Sequence, residues 1–214
     1  QPFRLFGAAA MRRLLPALLA TSLCLATAAQ AQTLADTLTD WIDSDAQRAP
    51  LGAEDSTYAA LKPGYRTSGT LLAEPSELRA IRGYDGASYA RLRPYVCALP
   101  RAELSPVNVN ALDIDQAPVL SMLSVGRLTP AEARRVIAAR PDGGWPDATA
   151  FWAQPALRDA ELPREVYDQV QLRSRWFTLQ TEVEYAGAQA VLSALLHADG
   201  DRARLIVRRW TPDE

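Results

Sequence analysis

The amino-acid sequence predicts an α+β protein in which a largely helical region precedes a three-stranded antiparallel meander. Helix-start and helix-stop residues recur along residues 33–173, whereas residues 174–214 show the two-residue alternation of β-strands. The chain has 214 residues, of which 48% are hydrophobic. That length and composition fit one domain or two small domains with a buried core.

The helical region opens with an amphipathic segment. Apolar side chains recur at helical spacing in residues 33–43, and Thr33 is the expected N-cap. The clearest later helix begins at Thr129, which precedes a proline and stands three residues before Glu132, the arrangement of a capping box. Shorter helices are predicted to begin near Pro75, Asp147 and Pro163.

The last part of the chain carries the strand pattern. Apolar and polar residues alternate over 177–185, and a second apolar run follows over 188–197. Asp199-Gly200 is a hairpin sequence that introduces a third strand over 203–210. Because three strands alone are marginally stable, we expect a helix or further strands to cover one face of the sheet.

Residues 1–32 allow two interpretations. Two arginines after Met11, an apolar run to Leu25 and the small residues around Ala31 have the layout of a secretory signal peptide. Pro16 and the short length of the run argue against a membrane-spanning helix. Because the chain does not begin with methionine, the same residues can instead belong to an amphipathic helix.

Charge and cysteine usage argue against several classes of function. Lys and Arg number 23 against 25 Asp and Glu, so no overall positive field exists to hold a polyanion. Cys24 and Cys97 form no CxxC or Cys/His cluster, so no zinc or redox site is expected.

His197 is expected at a strand end on the surface. No P-loop, GxSxG or HExxH motif occurs, and we predict that the protein is not an enzyme.

The most informative local feature is an acidic group at the end of the first predicted helix, formed by Asp40, Asp43, Asp45, Glu54 and Asp55. Asp43, Asp45, Gln47 and Glu54 stand at positions 1, 3, 5 and 12 of an EF-hand calcium loop, and Asp55 adds a further carboxylate. Calcium prefers several hard oxygen ligands, and carboxylates gathered in one loop repel one another without a cation. This arrangement indicates a candidate calcium site formed by Asp43, Asp45, Gln47, Glu54 and Asp55.

Two residues depart from the EF-hand pattern. Arg48 stands where the loop needs a glycine for its sharp turn, and Pro50 lies inside the loop. The geometry of the loop therefore differs from that of an ordinary EF-hand. The alternative interpretation is a solvated acidic loop that begins at a helix end.

A second candidate site lies in residues 107–144. An Asn-x-Asn entry at Asn108 and a glycine-containing turn around Gly126 resemble the helix-hairpin-helix layout, in which backbone amides of the turn contact a DNA phosphate. The turn has a single glycine and the flanking charges are mixed. The sequence therefore favours packing of two helices, with DNA binding as the alternative.

Six segments follow one another along the chain in an informative order. They are LADTLTDWIDSD (34–45), GAEDSTY (52–58), PGYR (63–66), SELRAIRGYD (76–85), YARLRPYVCALP (89–100) and VNVNAL (107–112). Each segment alone is a weak match. Their combination, over about residues 33–210, resembles the successive blocks of the type II secretion system protein K family.

The resemblance implies a pilin-like protein in which a helical domain of helix-hairpin-helix or SAM-like elements is inserted ahead of the last strands. Residues 33–173 would form this insert, and residues 174–214 would form the closing strands of a pilin-like sheet. Residues 1–32 would stand where the family's N-terminal part ends. The family's anchoring helix and first strands have no counterpart there, so membrane attachment is expected only through a missing N-terminal helix.

The resemblance also implies a function. Members of the family lie at the tip of a periplasmic pseudopilus, anchored in the inner membrane, together with minor pseudopilins of the I and J type, and they bind calcium in the helical domain. We therefore expect a structural minor pseudopilin that initiates or caps assembly for protein secretion. The alternatives are a helix-hairpin-helix DNA-binding protein of the cell envelope and a secreted calcium-stabilised domain with an unrelated catalytic role.

Overall fold

A computed structural model describes residues 28–158 and 160–210 of the chain. The two interpretations of the first residues fall mainly on 1–27, which lie outside the described residues. Helices come first and a three-stranded antiparallel sheet comes last, so the predicted α+β class is confirmed. The chain divides into a helical unit that ends at Leu172 and a β-unit that begins at Arg173.

Helix α1 (Ala28–Ile42) opens the described part of the helical unit. Thr33 lies inside this helix, so the prediction that it caps the N-terminus is wrong. The alanines that precede Thr33 are strong helix formers and extend the helix upstream of it. Leu38 and Trp41 face the interior, as the amphipathic pattern predicts, with 2% and 6% of their surface exposed.

Short helices and 3₁₀ turns, joined by loops, follow α1 in the helical unit. They are α2 (Asp55–Ala59), α3 (Gly86–Leu92), α4 (Ala117–Leu123), α5 (Pro130–Ala138), α6 (Ala148–Trp152), α7 (Pro155–Arg158) and α8 (Arg164–Gln169), with 3₁₀ turns at Pro75–Ala80, Arg93–Tyr95 and Ile114–Gln116. Helices shorter than about 12 residues are marginal in isolation, so packing and capping decide whether they form. Among the described residues, we find no helix with the length and apolar character needed to cross a membrane.

Two of the helix starts predicted from the sequence carry side-chain caps. Thr129 begins α5 as predicted: its hydroxyl accepts from the Glu132 amide at 3.3 Å, and the Glu132 carboxylate accepts from the Thr129 amide at 2.8 Å. Asp147 accepts from the Ala150 amide at 2.8 Å and caps α6. Both helix starts agree with the sequence prediction.

The core of the helical unit draws on segments far apart in the chain. Its largest fully buried side chains are those of Tyr58, Phe151, Leu38, Leu78, Leu112, Leu120, Met122, Leu123, Val107 and Val109. Burying one large apolar side chain stabilises a fold by about 1.5–3 kcal/mol. Because these residues come from segments between α1 and α6, long-range packing holds the short helices together.

A short parallel pairing joins two distant segments of the helical unit. Strand β1 (Val107–Asn108) pairs with β2 (Val170–Gln171), and the Val109 amide donates to the Gln171 carbonyl at 3.0 Å. The sequence does not predict this pairing, because strands of two residues are too short to show a period.

The β-unit is the predicted meander. Strands β3 (Trp176–Tyr185), β4 (Ala188–Asp199) and β5 (Arg202–Arg209) pair antiparallel in that order. Ala186 and Gly187 have positive φ values of 49° and 79°, the combination required by a tight two-residue hairpin. The predicted strands are confirmed, and their ends differ from the prediction by at most two residues.

One face of this sheet is apolar and exposed. The register places Phe177, Leu179, Val183 and Tyr185 of β3 on the same face as Leu205 of β5, because alternate residues of a strand point the same way. Val183 and Tyr185 are 55% and 81% exposed. We call these five residues the apolar sheet face.

His197 lies near the end of β4, as the sequence predicts. It is half-buried, and its ring centroid is 4.5 Å from that of Trp176, its partner on β3. Aromatic cross-strand pairs of this kind stabilise a sheet, so the contact gives His197 a packing role.

Candidate metal centre

Two acidic residues lie on one side of helix α1, and a third follows its end. Asp36 and Asp40 are four residues apart, which places them on the same face of the helix, and Asp43 directly follows the last helical residue, Ile42. Asp36 and Asp40 are 6% and 1% exposed. The chain then folds back along this face, so that residues 44–54 lie beside these carboxylates.

Three of the five predicted ligands come together at the end of α1. Asp43, Asp45 and Glu54 each offer a carboxylate oxygen, and these oxygens lie within 4.8 Å of one another. Calcium binds oxygen at roughly 2.3–2.6 Å, so an ion placed between the three can contact all of them. An all-oxygen set favours calcium or magnesium over zinc or copper.

Glu54 is the buried member of this group. It is 8% exposed, and among the described residues its Oε1 atom has no hydrogen-bond partner. Burial raises the pKa of the Glu54 carboxyl, and the charges of Asp40, Asp43 and Asp45 raise it further. A buried carboxylate oxygen without a partner is costly, and a cation between the three carboxylates would supply the missing contact. The residues therefore fit a bound cation.

Asp45 and Gln47 lie in the exposed part of the loop. The Gln47 amide donates to Asp45 Oδ1 at 2.7 Å, which forms a local turn around the aspartate. The side chain of Gln47 is exposed. A ligand role for Gln47 stays a prediction.

Asp55, the further carboxylate of the predicted set, does not join this group in the structure, so a ligand role for it stays a prediction. Its Oδ1 atom accepts from both the amide and the hydroxyl of Thr67 at 2.9 Å, and its Oδ2 atom lies 3.9 Å from Arg66 Nε. The bonds from Thr67 lower the pKa of the Asp55 carboxyl. Asp55 is the first residue of α2, where successive side chains diverge by about 100°, so it does not follow the direction of Glu54.

Asp36 and Asp40 anchor the middle of the loop; the sequence placed Asp40 in the acidic group but indicated no such role for either residue. The Ala49 amide donates to Asp40 at 3.1 Å, and the Leu51 amide donates to Asp36 at 3.0 Å. The helical spacing of the aspartates on α1 was a usable signal for this role. The loop is therefore tied to α1 by side chains that lie outside the predicted ligand set.

The hairpin formed by α4 and α5 does not offer the amides that DNA binding would use. The four successive turn amides from Val125 to Leu128 donate to acceptors within the hairpin at 2.8–3.0 Å. The next amide, that of Thr129, donates to Glu132. A phosphate would have to displace these bonds. The structure supports the predicted packing role and does not support the DNA-binding alternative.

Asn110, in the Asn-x-Asn segment, also serves packing. Its Oδ1 atom accepts from the Trp145 amide at 2.8 Å, and its Nδ2 atom donates to the Trp145 carbonyl at 3.0 Å. Gly144 has a φ of 80°, and a Cβ atom there would lie 2.7 Å from Asn110 Cγ. The segment therefore forms a side-chain clasp that requires a glycine beside it.

Two family models described as type II secretion system (T2SS), protein K match the chain, over residues 4–101 and 107–172. The chain belongs to the type II secretion system protein K family. The candidate metal loop lies inside the first matched region, and the hairpin of α4 and α5 lies inside the second. The resemblance inferred from the sequence segments is thereby confirmed.

Protein K sequences from several bacteria are similar to this chain. The protein from Klebsiella pneumoniae is 38% identical over 189 residues, which cover 86% of this chain and 57% of that protein. The protein from Pectobacterium carotovorum subsp. carotovorum is 33% identical, with coverage of 85% and 55%. The chain spans about half the length of the curated relatives it matches.

The protein K family also includes a solved structure with the same fold. It is GspK in the crystal structure of the GspK–GspI–GspJ complex from the enterotoxigenic Escherichia coli type 2 secretion system. The TM-score is 0.81 at 27% identity, and the match covers 95% of this chain and 75% of that chain. The order of helices followed by a closing sheet is therefore shared with GspK.

Proposed function

We propose that this chain is part of a structural minor pseudopilin at the tip of the type II secretion pseudopilus. In this proposal it binds I- and J-type minor pseudopilins and thereby initiates or caps assembly for protein secretion. The match to GspK of the GspK–GspI–GspJ complex, across 95% of the chain, supports these partners. The protein works through its surfaces rather than by catalysis. Its expected place is the periplasm, with an N-terminal helix in the inner membrane.

The two units have different tasks in this proposal. The helical unit is the bulky part that prevents further subunits from adding above it. The β-unit supplies the closing strands of the pilin-like sheet. The turn amides of the α4–α5 hairpin, from Val125 to Leu128, are hydrogen-bonded within the hairpin. This bonding agrees with a role in packing and not in nucleic-acid binding.

Co-purification tests the proposed partners. The full-length protein that contains this chain would be co-expressed with the I- and J-type minor pseudopilins of the same organism. We expect the three proteins to elute together in gel filtration, whereas an unrelated periplasmic protein of similar size elutes separately. A folded, anchored protein that elutes apart from both partners would contradict the proposal.

We also propose that Asp43, Asp45 and Glu54 hold a calcium ion, with Gln47 as a further candidate ligand. The buried Glu54 Oε1 atom, which lacks a hydrogen-bond partner among the described residues, supports this proposal. A bound ion would neutralise the three carboxylates. Because Asp43 directly follows α1 and Glu54 directly precedes α2, the ion would join these two helices.

Thermal unfolding in calcium and in chelator tests the ion. A ligand at a hundred times its Kd stabilises a protein by about 2.7 kcal/mol, so calcium is expected to raise the melting temperature clearly. Asp43→Ala should abolish this gain, while Asp142→Ala, at an exposed loop position, should retain it. Identical melting curves in both conditions would rule the ion out.

A further inference from the structure

Asp36 and Asp40 shape the loop of residues 44–54, and neither belongs to the group formed by Asp43, Asp45 and Glu54. Asp40 is 1% exposed, and the Ala49 amide donates to its two oxygens at 3.1 and 3.3 Å. Asp36 accepts from the Leu51 amide at 3.0 Å. Two amides in the middle of the loop are therefore held by the buried acidic face of α1.

Gly52 packs directly against Asp40. A Cβ atom built on Gly52 would overlap Asp40 Oδ2 and lie 2.6 Å from Asp40 Cγ. The φ of Gly52 is not positive, so its backbone conformation is open to other residues. The space taken by the Asp40 carboxylate is therefore the reason for a glycine at this position.

Arg48 closes the turn between these contacts. Its Nε atom donates to the Gly52 carbonyl at 2.9 Å, and the Gly52 amide donates to the Ala49 carbonyl at 3.0 Å. Arg48 stands at the position where an EF-hand carries its turn glycine. Here a side-chain hydrogen bond closes the loop instead, and the protein's own contacts set the loop's shape.

We propose that Asp40 is a positioning residue for the metal centre. By holding the Ala49 amide and packing against Gly52, it sets the loop so that Asp45 and Glu54 meet Asp43 before an ion binds. This inference rests on the proposed calcium site and adds the residue pair that preorganises it. A preorganised loop loses less conformational entropy on binding, so the pair raises the affinity for calcium.

Substitution of Asp40 tests this role in the full chain. Calcium affinity would be measured by titration calorimetry, and melting temperatures would be measured in calcium and in chelator. Asp40→Ala is expected to weaken calcium binding about tenfold or more, because the loop loses its anchor. Asp40→Asn retains an oxygen that accepts from the Ala49 amide, so it should recover most of the affinity.

Two results with these variants would overturn the positioning role. If Asp40 only stabilised the fold, Asp40→Ala would lower the melting temperature equally in calcium and chelator, and calcium affinity would not change. If Asp40→Asn lost as much affinity as Asp40→Ala, the charge of Asp40, and not its hydrogen bond with the Ala49 amide, would account for the effect. The proposal requires that Asp40→Ala reduce the rise in melting temperature that calcium produces, and that Asp40→Asn restore this rise.

Gly52 supplies an independent test through a double-mutant cycle. Gly52→Ala should weaken calcium binding about tenfold in the wild-type background, because the new Cβ displaces the Asp40 carboxylate. In the Asp40→Ala background the same change should have little further effect, because the space is open. Gly143→Ala is the matched control, since a Cβ atom there meets nothing within 4 Å. Additive losses in the cycle would overturn the proposal.

The wild-type chain separates failure of this inference from failure of the calcium site. If the wild type shows no heat of calcium binding and identical melting curves, both proposals are overturned. If the wild type binds calcium but the Asp40 and Gly52 substitutions act independently, only the positioning role is overturned. Circular dichroism of each variant establishes that a loss of calcium affinity does not come from unfolding of the protein.

Discussion

Glu54 and Asp55 are sequence neighbours with opposite electrostatic surroundings. Burial, followed by the charges of three aspartates, raises the pKa of Glu54 above 4.5, whereas hydrogen bonds from Thr67 lower the pKa of Asp55 below 3.8. In the metal-free protein, Glu54 therefore reduces stability as the pH rises from 4.5 through its raised pKa. Asp55 adds stability above 3.8, and this contribution is lost as the pH falls through its lowered pKa.

Paired substitutions check these opposite signs. In chelator at neutral pH, we expect Glu54→Gln to raise the melting temperature, because it removes a buried charge, and Asp55→Asn to lower it. The gain from Glu54→Gln should shrink as the pH falls through the raised pKa of Glu54, because the wild-type carboxyl then takes up its proton. Calcium should no longer stabilise Glu54→Gln. The measurement is thermal unfolding between about pH 4 and pH 8.

The same two variants would also show if this electrostatic assignment is wrong. A Glu54→Gln protein that melts below the wild type in chelator would mean that the carboxylate is satisfied without an ion. An Asp55→Asn protein with an unchanged melting temperature would mean that the bonds from Thr67 contribute little.

Residue spacing predicted part of the candidate site. It found Asp43, Asp45 and Glu54, because ligand spacing along a loop is visible in the sequence. The predicted set also includes Asp55, which in the structure bonds Thr67 and lies apart from the other three carboxylates, because the start of α2 redirects its side chain. Residue spacing placed Asp40 in the acidic group but missed its anchoring role, because that role is a contact with the loop backbone nine residues away, and no ligand pattern encodes such a contact.

Elements with local determinants were predictable from the sequence. The capping box at Thr129 and the cap at Asp147 involve residues three apart, so the sequence contains the whole interaction. The start of α1 was misplaced because a threonine can cap a helix or lie within one. The β1–β2 pairing depends on residues more than 60 positions apart, and no local pattern specifies it.

The clasp between Asn110 and Trp145 gives a prediction for the helical unit. Asn110→Ala removes both hydrogen bonds to the Trp145 backbone, so we expect a loss of about 1–3 kcal/mol in the free energy of unfolding. Asn110→Asp keeps the acceptor for the Trp145 amide but sets a carboxylate oxygen against the Trp145 carbonyl, so it should also lower the free energy of unfolding. Urea unfolding of the three proteins measures the difference. An unchanged midpoint for Asn110→Ala would contradict the clasp.

The order of helices and strands was predictable for the chain as a whole. The apolar period changes from that of a helix to that of a strand close to residue 174, and the division into two units falls at Leu172 and Arg173. The pairing order followed from short hairpin turns. The exposure of the sheet could not be predicted, because the alternation of apolar and polar residues shows which face of the sheet is apolar but not what covers that face.

The apolar sheet face should make the chain bind hydrophobic dyes. Contiguous exposed apolar residues are uncommon on soluble monomers, and Val183 is 55% exposed. We expect Val183→Asp to reduce dye fluorescence about twofold or more and to reduce concentration-dependent association. Glu184→Gln, one residue along on the opposite face, is the control and should leave both unchanged. Equal dye binding by all three proteins would contradict the exposure of this face.

The uncovered sheet also sets the order in which the chain opens. Most residues of β3 and β5 are exposed, while most of α4 is buried. Local opening is easiest where few apolar groups are buried, so backbone amides of β3 and β5 should take up deuterium long before those of α4. Hydrogen-exchange mass spectrometry would resolve the two populations. A binding partner that covers the sheet would then be recognised by the selective slowing of exchange in these strands.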